Sequence, residues 1–147
     1  MQISAVREAL AEAARAVQMP AGTRALNCTA YVPDSATVPC LFIADVEVDF
    51  NTAMNHAMDR IEFTVRVLVS RADDKSSQEI LDGLLSGSGP GSLLAAIEAA
   101  RGAPDEMALG GLADDLHVLR VQGYRWCEHS GTTYLGAELI IRVIGAS

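Results

Sequence analysis

The chain has 147 residues, is 50% hydrophobic and 20% charged, and carries a formal net charge of −8. That length fits a single domain, residues 1–147, with an ordinary core, and the composition excludes disorder as the default state. The acidic balance, with Lys75 as the one lysine and scattered arginines, argues against a phosphate-neutralising nucleic-acid binder, and no apolar run approaches the ~20 residues of a membrane span.

In "MQISAVREALAEAARAVQ", Val6, Leu10, Ala13, Ala14 and Val17 share one face at helical spacing, which predicts a helix over roughly residues 3–18. Arg7, Glu8, Glu12 and Arg15 make it amphipathic rather than a signal peptide, so a cytoplasm is the expected compartment. Pro20 and Gly22 stop it. "ALNCTAYV" (25–32) reads as a short strand, followed by a turn at Pro33–Asp34–Ser35. "PCLFIADVEVDF" (39–50) reads as a second strand. In it Val46, Val48 and Phe50 point one way and Asp45, Glu47 and Asp49 the other. That acidic row could hold a cation, but a solvated strand face is the expected role.

A polar loop, "NTAMNHAMD" (51–59), leads to the clearest strand. In "RIEFTVRVLVS", Ile61, Phe63, Val65, Val67 and Val69 alternate with Arg60, Glu62, Thr64 and Arg66, giving one buried and one polar face. Next comes "RADDKSSQEILDGLLSGSGPGS" (71–92), which could be mistaken for an active site. Asp73 and Asp74 stand where a strand gives way to a helix, and such side chains satisfy orphan N–H groups. Ser76–Ser77–Gln78–Glu79 fits a capping box, and Ile80, Leu81, Leu84 and Leu85 form the helical stripe. The glycines follow a helix and lack a Lys-Ser/Thr, so they predict a C-cap at Gly87 and a turn with Pro90 near the next helix, not a phosphate loop. "SLLAAIEAARG" continues as that helix. Two strands close the chain, 116–126 and 133–143, joined by a hairpin tip at 127–132.

Catalytic signals are thin. His56, His117 and His129 have no metal-ligand spacing. Cys127 and His129 would share a strand face about 7 Å apart, beyond hydrogen-bond reach. The cysteines Cys28, Cys40 and Cys127 lack CxxC spacing and are expected as free, mostly buried thiols. The expectation is no enzyme, no cofactor and no metal. The element order predicts an α+β domain in two layers, with a mainly antiparallel sheet of four to five strands and helices packed on one face.

The segment "FTVRVLVSRADDKSSQEILDGLLSGSGPGSLLAAIEA" resembles a pattern in small proteins of long-tailed, siphovirus-type actinobacterial phages. That pattern is a hydrophobic strand, R-A-D-D, a helix ending in L-x-G-S-G-P-x-S, and a second helix. "TTYLGAELIIRVIG" resembles the family's final hairpin strand and "YVPDSATVPC" its early turn, although Cys40 stands where a second proline is expected. The resemblance covers most of residues 26–144. It implies a tail terminator: a homo-hexameric ring that caps the tail tube and joins it to the head connector. The implied partners are further copies of the chain, the tail tube protein, the head–tail connector protein and genomic DNA that passes through the lumen without specific binding. The implied location is the virion, at the head–tail interface, after assembly in the host bacterial cytoplasm. A neck connector of the same module, a stopper or adaptor, is the alternative; a small enzyme and a host-encoded binding module are the competitors from other classes.

On this reading Asp45, Glu47 and Asp49 are candidates for a phosphate-repelling lumen. Met54, His56 and Met58 in the 51–58 loop, and Glu128, His129 and Ser130 at a projecting hairpin tip, are candidate contacts to neighbouring proteins. Methionine in a polar setting suits a surface that must adapt to its partner.

Overall fold

The computed structural model describes residues 1–50, 58–103 and 105–146. Helix α1 (Ile3–Ala14) precedes strands β1 (Asn27–Thr29), β2 (Cys40–Asp49) and β3 (Met58–Ser70). Helices α2 (Lys75–Leu84) and α3 (Leu93–Glu98) follow, then β4 (Asp115–His129) and β5 (Thr132–Ala146). The strands form one sheet in the order β1–β2–β3–β5–β4. The fold is α+β with a mixed, mostly antiparallel sheet. The exception is β1, which lies parallel to β2 over Asn27–Thr29 because residues 30–39 return along the sheet instead of forming a hairpin.

β3 is the spine, flanked by β2 and β5. Its alternation sends Ile61, Phe63, Val65 and Val67 into one buried cluster with Val6 and Leu10 of α1, Leu81 and Leu84 of α2, and Leu93 and Ile97 of α3. At ~25 cal/mol per Å² of apolar surface removed from water, this cluster is the main source of stability. β5 approaches β3 so closely that a Cβ on Gly136 would sit 2.2 Å from the Val67 carbonyl oxygen, so only glycine fits there.

α1 ends at Ala14, short of the predicted residue 18. Beyond it the N–H groups of Ala16 and Val17 bond three residues back, and Gln18 N–H donates to Pro90 O at 2.8 Å. The chain leaves the helix to meet the α2–α3 connection, while Arg15 and Arg7 donate to the carbonyls of Cys28 and Ala30 and tie α1 to β1.

α2 is capped by Asp74, whose carboxylate accepts from Ser77 N–H at 2.8 Å, and not by the expected Ser76–Glu79 box. The helix starts one residue before Ser76, which puts that serine inside the first turn. The loop after α2 also differs from expectation. Gly89, not Gly87, takes a positive φ of 97°, and Ser92 caps α3 by accepting from Ala95 N–H at 3.1 Å.

A second, smaller cluster lies on the other side of the sheet. Cys40 and Phe42, alternating with Leu41 and Ile43 along β2, pack there with Leu68, Cys127 and Tyr134. Ala36 and Val38 from the 30–39 segment cover them, and the Val38–Pro39 peptide in that segment is cis.

Candidate interaction surfaces

Away from the small cluster, the polar side chains of four strands make a charged, open sheet face. Asp45 is paired with Thr64, Glu47 with Glu62 and Asp49 with Arg60 across β2–β3. The rows continue through β5 to β4: Thr64 to Ile140 to Arg120, and Glu62 to Arg142 to His117. Asp45, Glu47, Glu62, Arg120 and Gln122 line one hollow on this face, together with Thr64 and Ile140.

The predicted acidic row lies on this face, and all three carboxylates are exposed. Arg60 holds Asp49 at 3.0 Å, and Arg66 holds Glu138 at 3.0 Å. Asp45, Glu47 and Arg120 make no ion pair among the described residues; Arg120 instead donates to Gln122 at 3.2 Å. Glu47 faces Glu62 directly, an unfavourable like-charge pair on the β2 side.

The predicted contact residues are not brought together as one surface. Met54 and His56 lie outside the described residues. Met58 is not a loop residue: it opens β3 opposite Ala146 and is half-buried. The hairpin is also tighter than the expected 127–132 tip. β4 runs to His129 and β5 starts at Thr132, leaving Ser130 and Gly131 with φ of 50° and 80°, as a two-residue hairpin turn requires.

That tip is docked, not projecting. His129 is 8% exposed, its Nε2 lies 2.8 Å from Pro33 O, and its ring centroid is 5.1 Å from that of Phe42. Ser130 Oγ donates to Asp34 O at 2.7 Å. Of the three predicted tip contacts, Glu128 and Ser130 are exposed and His129 is internal.

Burial also decides the thiol chemistry. It pushes the Cys28 and Cys40 thiols up to about 11 and raises that of Cys127, so the nucleophilic thiolate is disfavoured at neutral pH. All three cysteines are free. Asp73 accepts from Gln78 Nε2 at 2.8 Å and from Arg125 Nη1 at 2.5 Å, while the Ser77 N–H lowers the pKa of Asp74. The two neighbouring carboxylates are thus turned to different partners. Among the described residues no cluster of three or more His, Cys, Asp or Glu could hold a metal, and no helix is long and apolar enough to cross a membrane.

The sequence predicts β4 as a strand over 116–126, but not that its edge carries an exposed apolar surface. Leu119, Val121, Tyr124 and Trp126 are exposed there, Trp126 by 51%. Bulges between Val118 and Arg120 and between Gln122 and Arg125 break the alternation, and Gly123 takes a φ of 63°. The adjacent apolar pair Val118–Leu119 and a glycine inside a strand pattern were the available signals. Beside this edge runs a mostly apolar groove lined by Leu84, Leu85, Leu94, Val118, Leu119, Val121 and Leu139 together with Arg120.

Compared with known proteins, the chain matches no family model and no curated sequence.

Proposed function

We propose that this chain is a virion structural protein of a long-tailed phage, a tail terminator that works as a homo-oligomeric ring between the tail tube and the head connector. The observation that carries the reading is the polar sheet face with its exposed row Asp45, Glu47 and Asp49. Turned toward the axis of a ring, this face supplies carboxylates that repel phosphate, so DNA slides past without being gripped. The reading places the helices on the outer side. It is further supported by the resemblance of residues 63–99 to the phage pattern and by thiols and aspartates occupied with structural tasks.

The test is genetic and visual. A phage lacking this gene should yield free heads and overlong or unjoined tails, and plasmid-borne protein should restore joined particles. Imaging of the restored particles should place the protein at the end of the tail tube. Density on the head side of the neck assigns it to the connector instead, and normal particles without the gene overturn the reading.

A further inference from the structure

We infer that neighbouring copies join head to tail, the outer edge of β2 in one copy pairing with the outer edge of β4 in the next. The inference rests on the ring reading and names the surfaces that build it.

Both sheet edges are open among the described residues. β1 pairs only with Cys40, Leu41 and Phe42, so Ala44–Asp49 of β2 has a strand on one side alone. β4 has β5 on one side and no strand on the other along all of Asp115–His129. Open edges of this length are liabilities unless something covers them.

The two edges complement each other in direction, facing and charge. Three antiparallel steps separate β2 from β4, so the two run in opposite senses and would meet antiparallel when copies stand side by side in one orientation. Asp45 and Arg120 end the same cross-sheet row on the polar face. Val46 and Val118 end the same row on the other face, through Phe63 and Ile141. Joining the edges therefore sets the unpaired Arg120 of one copy beside the unpaired carboxylates of the next. It also sets Val46 of one copy beside Val118 of the next, next to the apolar groove. The contact is heterologous, and repeated with a constant turn from copy to copy it closes into a ring. β-augmentation supplies the main-chain bonds, and the apolar groove supplies the side-chain fit.

The test uses the full chain and its mass in solution. Arg120→Glu places a charge against Asp45 and Glu47 and should raise the dissociation constant roughly tenfold or more. Reversal on the other side, Asp45→Arg with Glu47→Arg, should do the same. Each variant alone should be monomeric under conditions where the wild type assembles. The two mixed should recover assembly, because one copy's reversed edge meets the other's reversed edge. Val121→Pro, which removes a main-chain donor, is the second block; circular dichroism shows whether it and the reversals remain folded. A ring that survives all these changes in folded protein overturns this interface and leaves the ring reading standing. A wild-type chain that stays monomeric at every concentration reached overturns both. Edge-dependent assembly of a protein absent from the head–tail region of particles supports the interface and overturns the terminator reading.

Discussion

The two faces of the sheet are closed by different means. On one face Ile61, Phe63, Val65 and Val67 belong to a single buried cluster that also holds apolar residues of all three helices. The other buries the Phe42–Leu68–Tyr134 end under a stretch of irregular chain latched by His129 and Ser130, and is mostly charged elsewhere. Burial over a broad helical interface is cooperative, whereas a cover held by two hydrogen bonds and a few apolar contacts can open locally without global unfolding. The first face should therefore set global stability and the second local behaviour.

The sharpest way to break that comparison is Val67→Asp. It buries an unpaired charge at the centre of the helix-facing cluster and should cost ~4 kcal/mol or more. A soluble variant with a normal denaturation midpoint would refute the assignment. Gly136→Ala should cost ~2–3 kcal/mol by forcing β5 from the Val67 carbonyl, read as a lower urea midpoint at unchanged slope. His129→Ala, on the lightly covered face, should cost ~1–3 kcal/mol by removing the bond to Pro33 and the contact with Phe42. Its main signature should be faster alkylation of Cys127, while Cys28 in the main cluster stays protected. Equal acceleration at both thiols would show that the two faces open together.

The smallest effect concerns the cap at Asp74. Its lowered pKa means that the cap contributes stability above the ordinary carboxylate range and loses it as pH falls through the folded value. The stabilities of wild type and Asp74→Ala should differ at neutral pH and converge in acid, as thermal melts across pH can check.

The helix-facing side was legible because its signal is periodic. The alternation of Ile61 to Val69 and the stripe Leu81, Leu84 fix which side chains turn inward, whatever the loops do. The open face was half legible: Asp45, Glu47 and Asp49 emerge together as predicted, but the Arg120 end of their rows depends on strand order, which periodicity does not encode. The lid was not legible. Nothing local in "CEHSGT" says that His129 turns inward, because its partner Pro33 lies 96 residues away. The capping box failed for a narrower reason: Asp74 and Ser76 both qualify as caps, and the choice moved the helix start by one residue. The β4 edge was obscured by its bulges, which shift the side-chain phase twice within one strand.

The attachment of α2 to β4 has a mechanical consequence. Asp73, just before the helix, holds Arg125, and Asp82, near its other end, accepts from Tyr124 at 2.8 Å. Two polar tethers thus fasten one rigid rod to adjacent residues of a bulged edge strand, the weakest part of the sheet. A pull on that strand is shared by both tethers in parallel and carried into the rod, so the bulge resists straightening under tension. Because both links are exposed and polar, high salt should soften this brace at Arg125–Asp73 before it weakens the apolar interior.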